Sequence, residues 1–132
     1  MKNRVLLCTH GRFGEELLRS AEMILGKIEG VACCSLTSEM SLEDYRDTAE
    51  SELKKVSENV ICLVDLFGGT PSNVMGILTK KYPIQVVTGV NLPMLIEVYL
   101  NVEAKTTEEL AELALDTLRE SGNHINAILK EG

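Results

Sequence analysis

The sequence predicts an α/β domain, doubly wound around a mainly parallel four-stranded sheet with helices on both faces. Three observations lead there. Short apolar runs alternate with longer segments of helical period, the pattern of a repeating βα chain. Two of those runs, residues 5–8 and 60–64, are apolar at every position, as strands covered on both faces are. No linker, internal repeat or low-complexity segment interrupts the alternation, and 132 residues is the size of one compact domain. Residues 1–132 are therefore read as a single domain.

The elements follow in order. Residues 5–8 form the first strand. Residues 15–25 place Leu17, Leu18, Ala21, Ile24 and Leu25 on one helical face, with Gly26 as the stop. Residues 31–36 are a second, weaker strand. Ser41-Leu42-Glu43-Asp44 has the form of a capping box and opens a helix with Leu42, Tyr45, Ala49, Leu53 and Val56 inward. Residues 60–64 are the third strand, 71–81 a short helix, and 84–88 the fourth strand. Residues 92–100 are apolar nearly all round, so this helix should be buried, and a partner subunit is the expected cover. On that ground a homodimer is predicted. Thr106-Thr107-Glu108-Glu109 starts a last long helix that Gly122 should end. In the tail, Ile125, Ala127 and Leu129 alternate, which fits either a short strand added at the sheet edge or one more helical turn.

Placing the two most apolar strands centrally and joining parallel strands by right-handed crossovers gives the order 2-1-3-4. The chain then reverses direction between strands one and three. Ligands of such sheets bind at that switch point, beyond the carboxyl ends of the strands.

Composition narrows the function. The net charge of −7 argues against nucleic acid and against anionic membrane surfaces, both of which call for clustered Lys and Arg. No apolar run approaches the roughly 20 residues of a membrane span. The opening Met1-Lys2-Asn3-Arg4 leads into a run too short for a signal peptide, so a cytoplasmic location is expected. The four cysteines lack zinc or redox spacing and read as small buried hydrophobes.

Strand one runs into Thr9-His10-Gly11, and strand three into Asp65-Leu66-Phe67-Gly68-Gly69-Thr70-Pro71-Ser72-Asn73. With these strands adjacent, His10 and Asp65 emerge side by side. A carboxylate that accepts a hydrogen bond from one imidazole nitrogen fixes the tautomer and leaves a lone pair on the other, which makes a nucleophile or base. Each residue alone has an ordinary structural reading; together, beside a glycine loop, they point to a site. Gly68 and Gly69 let the backbone turn and approach a ligand closely. Thr70 is expected as the helix N-cap and Pro71 at the first helical position. The first-turn N–H groups at Ser72 and Asn73, with the hydroxyls of Thr70 and Ser72, are candidate donors to phosphate oxygens. The loop is neither a Walker A motif nor a dinucleotide fingerprint. No metal site is evident, since Asp65 has no second acid in its loop and the other histidine, His124, lies in the tail.

Three stretches resemble one known family. They are Thr9-His10-Gly11 with the helix ending Ala21-Glu22-Met23-Ile24-Leu25-Gly26, then Leu63 through Asn73, then Thr88-Gly89-Val90-Asn91-Leu92-Pro93-Met94-Leu95. The second is the most specific. The chain resembles the IIA components of the mannose/fructose/sorbose-type bacterial phosphotransferase system. The resemblance implies a phosphotransferase working through a phosphohistidine and without a cofactor. His10 would accept phosphate from the phosphocarrier protein HPr and pass it to a IIB component, which serves sugar uptake through the IIC and IID membrane subunits. Asp65 matches the family's histidine-orienting aspartate, and Thr70 its hydroxyl residue at the phosphate pocket. The family's members form homodimers, often by exchanging a C-terminal strand, for which residues 125–129 are the candidate. Leu66 departs from members with a hydroxyl residue there. Because the chain stops at Gly132, the IIB partner is expected to be separate. The alternatives are a regulatory or dihydroxyacetone-kinase-type phosphoryl-transfer module of the same fold, an aspartate-phosphorylated receiver domain, which would need acids at the end of strand one, and a non-catalytic binding protein.

Overall fold

The structure, a computed structural model, describes residues 3–56 and 59–131. Met1, Lys2 and Gly132, which fall within the predicted domain, lie outside the described residues. The elements are β1 (Arg4–His10), α1 (Phe13–Leu25), β2 (Val31–Leu36), α2 (Leu42–Lys54), β3 (Val60–Val64), α3 (Thr70–Leu78), β4 (Ile84–Thr88), α4 (Leu92–Leu100), α5 (Thr107–Glu120) and α6 (Ile125–Glu131). The four strands are parallel in the order β2-β1-β3-β4, as the apolar runs predict.

The two-residue period of the strands divides the core. Val5, Leu7, Ile61 and Leu63 face one side and pack with Ala21 of α1, Met94, Leu95 and Val98 of α4, and Leu110 and Ala114 of α5. Leu6, Cys8, Val60, Cys62 and Val64 face the other and pack with Tyr45, Ala49 and Leu53 of α2 and Val74, Met75 and Leu78 of α3. The central strands β1 and β3 are thus buried on both faces, which fixes the height at which their C-terminal ends stand.

Local signals start the helices. Ser41 and Asp44 cap α2 reciprocally, at 3.0 and 3.1 Å. Thr106 and Glu109 do the same for α5, at 3.1 and 2.9 Å. The backbone N–H of Thr106 holds the Glu109 carboxyl below the usual carboxylate range. Asn91 caps α4 by accepting from Met94 N–H at 2.9 Å.

Helix α4 is covered by its own chain on one face: Met94, Leu95 and Val98 are fully buried against α1 and α5, Ile96 and Tyr99 are half-buried and Leu100 is exposed. Of the two forms open to the tail, the structure has the helical one, α6. The N–H groups of Ala127 and Ile128 both donate to the His124 carbonyl, at 3.0 and 3.2 Å, so the segment satisfies its backbone locally, whereas a strand would need a neighbour's ladder. The outer edge of β4 has no strand beside it among the described residues.

Cys8, Cys34 and Cys62 are buried and Cys33 is half-buried, all as free thiols. A hydrogen bond with Cys62 and burial push the Cys8 thiol well above its usual value. Burial pushes Cys34 up to about 12 and Cys33 to about 11. Only the thiolate reacts readily. Iodoacetamide at neutral pH should therefore leave Cys8 and Cys34 unmodified in the native protein, burial should shut it out from Cys62, and all four cysteines should be modified in denaturant, read by intact mass.

Candidate functional site

His10 is the last residue of β1, and Asp65 is the first residue past β3. The register sets Cys8 beside Val64, so the two side chains leave the sheet together at the switch point. Asp65 then binds its neighbour twice. Its Oδ2 accepts the backbone N–H of His10 at 2.9 Å. Its two oxygens lie 3.0 and 3.3 Å from Nδ1 of the ring. An ionised carboxylate only accepts, so these contacts select the tautomer with hydrogen on Nδ1 and a lone pair on Nε2. Burial grades across the pair: the Asp65 side chain is 14 % exposed and that of His10 45 %. The orienting group is shielded while the ring it holds is partly open to solvent.

The surroundings hold this geometry. Gly11 turns the chain at φ +53°, and its N–H donates to the Leu36 carbonyl at the end of β2, at 2.8 Å. Thr9, fully buried, accepts the Gly14 N–H through Oγ1 at 2.9 Å. That bond satisfies one orphan donor in the first turn of α1, whose N-cap residue, Arg12, supplies no side-chain cap. Neither Thr9 in this capping role nor Gly14 stood out in the sequence. The available signal was a polar residue at an inward-facing strand position, five residues before a helical glycine.

On the β3 side, Gly68 adopts φ +89°, a left-handed turn that favours glycine. The N-cap of α3 is Gly69, with φ −88° and ψ 175°. Thr70 is already helical, which corrects its predicted capping role; proline is tolerated at either of the first two helical positions, so Pro71 does not fix the boundary. A second correction concerns Asn73, whose N–H donates to the Gly69 carbonyl at 2.9 Å and is not free. The N–H groups of Thr70 and Ser72 have no protein partner among the described residues. Gly69 lies directly against the His10 ring. Phe67 is 82 % exposed on the loop. With Ser72 and Asn73 it leads into a groove of about 830 Å³ between α3, the β4 edge and α5, which His10 does not line. No described group of three or more His, Cys, Asp or Glu side chains is placed to hold a metal ion. No described helix is long and apolar enough to cross a membrane.

The parallel sheet in the order 2-1-3-4, with helices on both faces, is the fold of solved phosphotransferase IIA proteins. Residues 4–115 match the family model described as the PTS system fructose IIA component. The chain belongs to that family, the IIA components of the mannose, fructose and sorbose-type systems, whose business is phosphoryl transfer. It is 33 % identical over 127 residues to the PTS system mannose-specific EIIAB component of Escherichia coli K12, covering 93 % of this chain and 39 % of that protein. It is 28 % identical to the sorbose-specific EIIA component of Lacticaseibacillus casei, over 80 % of this chain and 78 % of that one. The mannose/sorbose-specific IIA subunit from Enterococcus faecalis superposes with a TM-score of 0.88 at 32 % identity, covering 94 % of this chain and 95 % of the other. The chain thus spans about two fifths of the EIIAB relatives it matches.

Thr9→Val keeps the shape of a buried side chain and removes the acceptor for Gly14 N–H. Leaving a buried donor unsatisfied should cost about 1–3 kcal/mol, measurable as a lower denaturation midpoint.

Proposed function

We propose that this chain carries a phosphoryl group on Nε2 of His10, taking it from the phosphohistidine of HPr and handing it to a IIB component that serves sugar uptake through IIC and IID membrane subunits. Residues 1–132 act in this reading as a single IIA domain. The observation that carries it is the double hold of Asp65 on His10, which occupies Nδ1 and leaves Nε2 free beside the start of α3.

In the transfer step, the Nε2 lone pair attacks the donor's phosphorus. The bond from phosphorus to the donor's ring nitrogen breaks, and its electron pair returns to the donor imidazole. The proton on Nδ1 of His10 stays in place, and Asp65 offsets the positive charge that builds on the ring. Gly68 shapes the turn. The Thr70 and Ser72 N–H groups, with the hydroxyls of both residues, receive the phosphoryl oxygens at the positive end of α3. Gly69 allows close approach, and Asn73 closes the first turn. The chemistry needs positioning and donors rather than a cofactor.

We also propose a homodimer. Its support is the open outer edge of β4, the groove beside it, and a tail whose Ile125, Ile128 and Leu129 are exposed. The family's habit of exchanging a C-terminal segment points to that tail as the cover for the partner's groove.

Incubation with phosphorylated HPr followed by mass spectrometry tests the first proposal. His10→Ala should take up no phosphate. Asp65→Ala should take it up on the order of 10²-fold more slowly, equivalent to about 2.7 kcal/mol at the transition state. Labelling of His124 in place of His10 would end the assignment. For the dimer, sedimentation at micromolar concentration should give about twice the 14.5 kDa chain mass, falling to the monomer when residues 123–132 are deleted.

A further inference from the structure

Two adjacent glycines precede α3, and they are there for different reasons. Gly68 is explained by its backbone, at φ +89°, and a Cβ on it would meet open space. Gly69 is the reverse. Its φ of −88° and ψ of 175° suit any residue, yet a Cβ built there stands 2.8 Å from Cε1 and 3.1 Å from Nε2 of His10. The first distance is closer than real Cβ atoms approach other heavy atoms.

The backbone of His10 is fixed, so the ring can give way only by leaving Asp65. Asp65 holds Nδ1 at 3.0 Å and the His10 backbone N–H at 2.9 Å. The next residue, Gly11, is pinned to the Leu36 carbonyl at 2.8 Å. Cys8, two residues back, is fully buried in a strand hydrogen-bonded on both sides. A methyl at position 69 and an imidazole on Asp65 therefore compete for one space.

We propose that Gly69 is a positioning residue: the side chain it lacks is the room in which the His10 ring lies with Nδ1 on Asp65 and Nε2 free. This rests on His10 as the phosphoryl acceptor, and it gives Gly69 a task in the unphosphorylated protein, before any phosphate is present. Adding a Cβ turns the ring off Asp65 and leaves its proton to exchange between Nδ1 and Nε2.

Two variants carry the test. Gly69→Ala adds only the methyl. Gly69→Ser adds the same Cβ with the hydroxyl preferred at an N-cap, so α3 keeps its start if alanine weakens it. Gly76→Ala, in the same helix with open space around its Cβ, is the control. Long-range ¹H–¹⁵N spectra of the His10 ring, recorded about two units above the ordinary histidine value of about 6.5, report the tautomer without any transfer reaction. Wild type and Gly76→Ala should show the single Nδ1–H tautomer and equal transfer rates. Gly69→Ala and Gly69→Ser should fold, show a mixture of tautomers, and transfer phosphate on the order of 10²-fold more slowly, the cost of misplacing a reacting group by about 1 Å. A Gly69→Ser protein that folds and keeps the Nδ1–H tautomer overturns the proposal, even where its transfer is slow, because the added group would then be acting on the phosphate and not on the ring. A wild-type protein that takes up no phosphate refutes the carrier function instead, and the tautomer comparison still decides where the ring sits.

Discussion

The hold of Asp65 on His10 is the constraint around which the fold is arranged. One carboxylate accepts from a backbone N–H and from a ring nitrogen of the same residue, and it does so across two strands separated by 55 positions in the chain. This requires β1 and β3 to be hydrogen-bonded neighbours, parallel, and in a register that ends both at one level. The central strands meet the requirement by burial: Leu7, Cys8, Cys62, Leu63 and Val64 have no exposed surface. Strands packed on both faces cannot slide or tilt without opening voids, so the distance between the two strand ends is set by the core and not by the loops.

The glycines around the pair follow from the same closeness. At Gly11 and Gly68 the chain must turn through left-handed conformations to leave the sheet. At Gly14 and Gly69 the conformation is ordinary and space is the issue. A Cβ on Gly14 would stand 3.0 Å from Thr9 Oγ1 and 3.2 Å from Leu7 Cβ, which keeps α1 close enough for Thr9 to cap it. Gly69 plays the equivalent part for α3 and the imidazole. Both helices thereby begin in contact with the strand that carries His10.

Much of this was legible in the sequence, and the parts that were not have identifiable causes. Runs bounded by polar, proline or glycine residues, such as Val60–Val64, Ile84–Thr88 and Leu92–Leu100, have the observed limits. β1 runs on through Thr9 and His10 because its ladder with β2 continues through Ser35 and Leu36, a partnership that no local pattern contains. The cap of α3 was misplaced by one residue because Thr70 and Gly69 both suit the position. For α4, an apolar pattern all round says that the helix is covered, not by what: α1 and α5 of the same chain bury Met94, Leu95 and Val98, and Leu100 stays exposed. In the tail, three alternating apolar residues cannot separate a period of 2 from one of 3.6, and the helix prevails where no strand is present to pair. The adjacency of His10 and Asp65 was recoverable from topology alone. The approach of Gly69 to the ring was not, since it depends on the direction of a Cβ that the sequence does not contain.

The electrostatics suit a carrier better than a store. A phosphoryl group that must be passed on should not be held strongly, because every interaction that stabilises the phosphorylated state beyond the transition state slows its departure. The site has that restraint. Arg12, two residues from His10, is drawn toward Glu16 at 3.5 Å, a carboxylate it shares with Arg19 at 2.6 Å, so part of the nearby positive charge is offset. What remains for a phosphate is a short helix start with two unpartnered N–H groups and a ring whose charge Asp65 balances from the shielded side. Such donors orient a phosphoryl group without the strong Coulombic attraction of a bidentate arginine. In the proposed transfer the affinity would then have to come from the approaching protein, and Leu66 and Phe67, exposed in the loop that follows Asp65, would offer apolar surface from which it can displace water.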